Sequence, residues 1–100
     1  MVWQIKFSDA AKKNMAALDK PVAKRINKFL RERVAKLDDV RAIGEALTGD
    51  VLGDFWKYRV GDWRVIARIE DELVRVLVVR IGSRRDIYRE ASRKGGIRLH

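Results

Sequence analysis

Phe55 to Val65 reads FWKYRVGDWRV, two alternating runs on either side of Gly61-Asp62. Glycine at the first central position of a two-residue connection suits a type II′ turn, the kind that joins antiparallel strands. Such a turn sets the register: Val60 opposite Trp63, Arg59 opposite Arg64, Tyr58 opposite Val65 and Lys57 opposite Ile66. Because side chains alternate, Trp56, Tyr58, Val60, Trp63, Val65, Ala67 and Ile69 share one face, and Lys57, Arg59, Arg64, Ile66 and Arg68 share the other. The first face reads as core. On the second, Arg59 and Arg64 have Cβ atoms about 5 Å apart, a repulsion of a few tenths of a kcal/mol that folding alone does not require.

Working outward, residues 73 to 81 give a third strand, joined through a loop centred on Asp71 and Glu72. Val74, Val76 and Val78 extend the core face, while Arg75, Leu77, Val79 and Ile81 extend the cationic one. A strand apolar on both sides needs a cover on each, and GSRRDIYR is the nearest segment able to supply the second. At the other end of the chain, VWQIKF alternates with Trp3, Ile5 and Phe7 inward. Ser8 or Asp9 then caps a short helix with Ala11, Met15 and Leu18 on one stripe. Pro21 suits the first position of a second helix, in which Val22, Ile26, Phe29, Leu30, Val34 and Leu37 recur at helical spacing. DDVRAIGEALTGDVLGD, with three glycines and five acids, reads as a connector with one helical turn near RAIGEAL. The fold class expected is α+β: two N-terminal helices on a small, mainly antiparallel twisted sheet, ordered β-α-α-β-β-β, with a short C-terminal helix or tail. The place of the first strand in that sheet stays open, at an edge or centrally paired.

The chain has 23 Lys and Arg against 14 Asp and Glu, a net charge of +9. That excess points to a polyanionic partner: nucleic acid, an anionic membrane or an acidic protein. Charge is uneven, at +7 over residues 1–37, −4 over 38–54 and +6 over 55–100. The acidic interlude leaves a polyanion site to the flanking blocks. No cysteine is present and the one histidine is His100, which removes thiol catalysis, zinc-thiolate sites, and His-pair nuclease chemistry. No cofactor or metal is expected. No run is long enough to span a bilayer and the N-terminus lacks the order of a signal peptide, so a cytoplasmic protein is expected. Residues 91–100 read as a loose basic tail.

The cations of the hairpin fit two readings: an ordinary solvated basic surface, or a phosphate site in which guanidinium forks grip phosphate oxygens and Lys adds a point charge. RNA cleavage needs neither metal nor histidine. The ribose 2′-OH attacks the adjacent phosphorus, so the protein must help remove a proton, offset phosphorane charge and protonate the leaving 5′-oxygen. A Lys beside Arg charges, two Arg residues, and a Tyr to stack on a base or position the 2′-OH would serve. Arg84 and Arg85 follow Gly82 at the edge of the same face, and Tyr88 is a candidate for the aromatic role. Lys24, Arg25, Lys28 and Arg31 form the basic face of the second helix, a solvated surface or a nucleic-acid contact.

The order of strand, two helices, a loop ending ALTGD, then FWKYRVGDWRVIARI and LVRVLVVRIGSRRDIYR resembles the RelE/ParE superfamily of bacterial toxin–antitoxin toxins, and its RelE branch most. The similarity spans residues 1 to 90 as one domain. It implies a microbial-ribonuclease-like toxin that enters the ribosomal A site and cuts mRNA by 2′-OH attack. By position, Lys57 and Arg59 fall on the basic catalytic pair, Arg64 on the phosphate-stabilising arginine, Arg84 on the one tied to leaving-group protonation, and Tyr88 on the aromatic that orients the nucleotide. Lys24, Arg25, Lys28, Arg31 and Arg85 would contact RNA or ribosome. Arginine is a poor base, its pKa lying above 12, so Arg59 in place of a lysine leaves Lys57 as the expected base. Thr48 stands where a basic residue is common, and Ser83 where many relatives have histidine. The family also implies a small RelB-like antitoxin, acidic and apolar enough to cover Leu77, Val79 and Ile81, with DNA engaged only through that partner. Two other functions fit the scaffold: a ParE-like inhibitor that binds DNA gyrase without RNA chemistry, and a non-catalytic RNA- or antitoxin-binding module.

Overall fold

Residues 2–47 and 55–91 are described in a computed structural model. Thr48 and the tail from residue 92 lie outside the described residues.

The hairpin forms in the expected register, with Val60 opposite Trp63, Arg59 opposite Arg64, Tyr58 opposite Val65 and Lys57 opposite Ile66. Strand β3 is Phe55–Val60 and β4 is Trp63–Glu70. Gly61 takes φ +59 while Asp62 keeps a negative φ, which selects type II′ over type I′. Around this pair stand β1 (Gln4–Phe7), β2 (Glu45–Ala46) and β5 (Arg75–Ser83), in the spatial order β1-β5-β4-β3-β2. Strand β1 is therefore an edge, and it runs parallel to β5; the other pairings are antiparallel.

Helix α1 (Asp9–Ala17) begins where Ser8 Oγ accepts the Ala11 N–H at 3.1 Å. Helix α2 (Lys20–Lys28) starts one residue before Pro21 and continues into a wider π-type turn over Phe29–Val34, in which the Ala35 N–H reaches back to the Leu30 carbonyl at 2.9 Å. Ile26, Leu30 and Val34, four residues apart, are all fully buried. Both helices cover the inner sheet face, where the core joins Trp3, Ile5, Tyr58, Val65, Ala67, Ile69, Val76 and Val78. Phe29 meets the Tyr58 ring edge-on, with centroids 6.2 Å apart.

The connector differs from expectation. The helical turn expected near RAIGEAL is instead strand β2, because Glu45 and Ala46 find partners in Lys57 and Trp56. Two aromatic polar tips tie down the approach to it: Tyr58 Oη donates to the Val40 carbonyl at 2.6 Å and Trp56 Nε1 to the Ile43 carbonyl at 2.7 Å. Gly44, at φ +81, lies so close to β3 that a Cβ there would sit 2.5 Å from the Lys57 carbonyl oxygen.

Strand β5 follows a short 3₁₀ turn, Asp71–Leu73, after which Val74 takes φ +48, a left-handed conformation unfavourable for a β-branched residue. The turn is flanked by a fork–fork pair of Arg41 with Asp71, both contacts 2.9 Å, and by Arg75 on Glu70 at 2.7 and 3.1 Å. Further on, Val65 faces Ile81 and Ile66 faces Arg80, but Ala67 faces Val78, leaving Val79 as the extra residue of a β-bulge. Helix α1 satisfies backbone groups around it: Asn14 Oδ1 accepts the Ile81 N–H at 2.9 Å and Ser8 Oγ donates to the Val79 carbonyl at 3.3 Å. The bulge corrects one sequence expectation. Alternation without it puts Ile81 on the outer face, but the added residue turns Ile81 into the main core at 2% exposure and turns Arg80 outward.

The outer face has the expected cover. Helix α3 (Arg84–Ala91) starts with Ser83 Oγ accepting the Asp86 N–H at 3.2 Å, and Ile87 packs with Phe55, Ile66 and Val79. Leu77 is half-buried beside that cluster and Val79 is buried within it.

Candidate active site

The outer face is divided. Under α3 it is apolar, and towards the Gly61-Asp62 turn it is cationic. Register alone places Arg59 and Arg64 across from one another on that cationic part. Arg64 Nη1 donates to the carbonyls of Gly61 and Trp63, both at 2.9 Å, so the guanidinium folds back over the turn with further N–H donors left for a ligand. The first residue of α3 is fixed to the same turn: the Arg84 N–H donates to the Asp62 carbonyl at 2.7 Å. Helix docking thus brings a third arginine to the pair.

Electrostatics record the convergence. The Arg64 guanidinium is held below its ordinary range, first by burial and then by the charges of Arg59 and Arg84, with smaller opposing pulls from Asp62 and Glu45. Three like charges near one point form a site whose potential is relieved by an anion. A phosphate fits that requirement, since each guanidinium offers a planar fork of donors.

Lys57 stands on β3 on the same face, half-buried, and its Nζ lies 2.9 Å from Glu45 Oε1 on β2. Lys57 lowers the Glu45 carboxyl below its ordinary range through this contact, with a smaller pull from Arg64. Glu45 was not among the residues that sequence reasoning selected, because it sits in an acidic connector without periodicity. Arg80 was likewise missed, since a bulge leaves no trace in an alternating pattern.

Tyr88 is 76% exposed on α3 and lines an open depression with Arg84, Arg85 and Arg89. Lys24, Arg25 and Lys28 on α2 and Arg31 on the π-type turn that continues it are all exposed. Arg25 is the one seen to reach the site: its guanidinium lies against the hairpin turn, where a Cβ on Gly61 would be 2.9 Å from Nη1. Arg31 turns the other way, bonding Asn27 Oδ1 at 3.0 Å and lying 5.9 Å from the centre of the Phe7 ring. Among the described residues, no helix is long and apolar enough to cross a membrane.

Known proteins agree with this architecture. The toxin–antitoxin complex RelBE2 from Mycobacterium tuberculosis contains a chain similar in fold, with TM-score 0.74 at 18% identity over 83% of this chain and 92% of that one. A free Escherichia coli toxin RelE carrying two arginine-to-alanine changes is similar at TM-score 0.69 and 26% identity, over 91% and 95% of the two chains. An archaeal RelE–RelB complex from Pyrococcus horikoshii gives TM-score 0.63 at 24% identity, over 84% and 97%. Sequence comparison with curated proteins finds no match. The family model for the ParE toxin of type II toxin–antitoxin systems matches residues 5–88, and on that span the chain belongs to this toxin family, within the RelE/ParE superfamily.

Proposed function

We propose that this toxin is a RelE-like, ribosome-dependent endoribonuclease that cuts mRNA in the A site and so stops translation in the cytoplasm. The observation that carries the reading is the meeting of Arg59, Arg64 and Arg84 at the hairpin turn, where folding accepts repulsion that a phosphate would relieve. The 2′-oxygen forms a bond to phosphorus and the bond to the 5′-oxygen breaks, leaving a 2′,3′-cyclic phosphate and a 5′-hydroxyl. Arg64 and Arg59 hold the non-bridging oxygens as charge builds on them. Arg84, at the start of α3, lies where it assists protonation of the departing 5′-oxygen. Lys57 is the residue of the group suited to take the 2′-OH proton, as the amine left once its ammonium has parted from Glu45 and passed a proton to solvent. Tyr88 presents an open ring for a splayed base, and Arg85 extends the cationic lining beside it. Lys24, Arg25, Lys28 and Arg31 offer a basic helix face to ribosomal RNA, with Arg25 linking that face to the site.

The partner in this reading is a RelB-like antitoxin, as in the complexes of the similar chains. It would complement the net charge of +9 and shield the half-buried Leu77, while Val79 and Ile81 are already covered within the chain, and DNA would be reached only through it. A second reading, binding inhibition of DNA gyrase, is favoured by the match to the ParE toxin model.

Programmed ribosomes carrying end-labelled mRNA separate the two. Wild-type toxin is expected to cut at the A site, and Lys57→Ala, Arg64→Ala and Tyr88→Ala to cut less. Absence of cleavage, together with inhibition in a gyrase supercoiling assay, would replace the first reading with the second.

A further inference from the structure

We propose that Glu45 is the resident counter-ion of Lys57, holding the ammonium until an RNA phosphate displaces the carboxylate. The proposal rests on the reading of the outer face as an RNA phosphate site, and it names the residue that tunes that site's affinity and salt response.

The geometry is built rather than incidental. Glu45 and Lys57 are direct partners in the β2–β3 ladder, so both side chains leave the sheet on the same side, and the ion pair closes at 2.9 Å. The backbone that carries Glu45 is anchored before and after it. Ahead of it the Ile43 carbonyl accepts from Trp56 Nε1 at 2.7 Å, and behind it the Leu47 N–H donates to the Phe55 carbonyl at 3.1 Å. Gly44 permits the close approach, since its missing Cβ would otherwise collide with the Lys57 carbonyl. The pair is also layered: the Lys57 side chain is 28% exposed and that of Glu45 is 68% exposed. An anion arriving from solvent meets the carboxylate before it meets the ammonium.

Two consequences follow from this arrangement. An exposed ion pair is weak, so a phosphate that also engages Arg59 and Arg64 can displace the carboxylate. The exchange frees the Glu45 carboxylate beside the bound phosphate, and the cation given up by the RNA is taken up again at that carboxylate, so Lys57 adds no net counter-ion release when RNA binds. Each phosphate neutralised by an unpaired cation contributes about 0.7 to the slope of log K against log salt for a single strand, and Lys57 forgoes that share while Glu45 is present.

The test measures binding of the full-length protein to ribosomes programmed with an mRNA whose A-site codon is 2′-O-methylated and so cannot be cut. Wild type, Glu45→Gln, Lys57→Gln, the double variant of these two, and Arg64→Gln are titrated across a KCl series at fixed magnesium, with thermal melts to establish that each is folded. Glu45→Gln is expected to bind about 3- to 10-fold tighter at low salt and to steepen the salt slope by about 0.7, and both gains should vanish in the Lys57→Gln background. The proposal is overturned if Glu45→Gln binds no tighter while Lys57→Gln still weakens binding, if its gain survives loss of Lys57, or if it abolishes cleavage of an unmodified codon without tightening binding. If wild type fails to bind, or Lys57→Gln and Arg64→Gln both bind as wild type does, the phosphate-site reading itself fails.

Discussion

The two faces of the β3–β4 hairpin come from the same two strands and obey the same alternation, yet they differ in what fixes them. On the inner face Tyr58, Val60 and Val65 are buried under α1 and α2, and the one polar tip among them, Tyr58 Oη, donates to a carbonyl. These three inner positions are satisfied by folding. On the outer face Ile66 is as deeply buried as any inner residue, whereas Arg59 and Arg64 repel one another a few ångströms away. The outer face is thus half structural and half unsatisfied, with α3 covering the first half and its N-terminal Arg84 joining the second. A site is recognised here by the local cost that the rest of the fold carries.

That contrast is breakable, beginning with the largest effect. Leu30→Ala empties a fully buried inner position and should cost about 2–5 kcal/mol in urea denaturation, while any fraction that folds keeps its cleavage specificity. Arg64→Ala should do the reverse, lowering A-site cleavage by about 10²-fold or more in single-turnover assays while leaving the melting temperature within a few degrees of wild type. If Arg64→Ala unfolded the protein, the division between structural and functional cations would be lost. Tyr58→Phe leaves the buried Val40 carbonyl without its donor and should cost about 1–3 kcal/mol, with no change in cleavage by the folded protein.

The smallest effect concerns acid. Arg75 holds the Glu70 carboxyl below its ordinary 4.5. A carboxyl lowered on folding contributes stability that is complete above its unfolded value and lost as pH falls through the folded one. Because the pair is partly exposed, Glu70→Gln should flatten the acid limb of stability below about pH 4.5 by under about 1 kcal/mol. Melts at pH 7 and pH 3.5 measure the difference, and an unchanged acid limb would show that the pair contributes nothing.

The sequence was legible wherever local chemistry sets geometry. Gly61-Asp62 specifies its turn, the turn sets the register, and register alone puts Lys57, Arg59 and Arg64 on one face. Ser8 or Asp9 marked the start of α1, with Ser8 the cap that forms, and the four-residue spacing of Ile26, Leu30 and Val34 marked the buried side of α2 and the π-type turn that continues it. Only the tertiary structure decided features that depend on pairing between distant segments. The bulge at Val79 adds one residue to a ladder and reverses the faces of Arg80 and Ile81, an event that period-2 reasoning cannot register and that Asn14 and Ser8 support from a helix more than sixty residues away. The edge position of β1, parallel to β5, is fixed by a pairing across most of the chain. Glu45 meets Lys57 only because two residues of an acidic connector pair with β3, so the anion that faces the site's lysine comes from the segment whose composition had set it apart from any polyanion site.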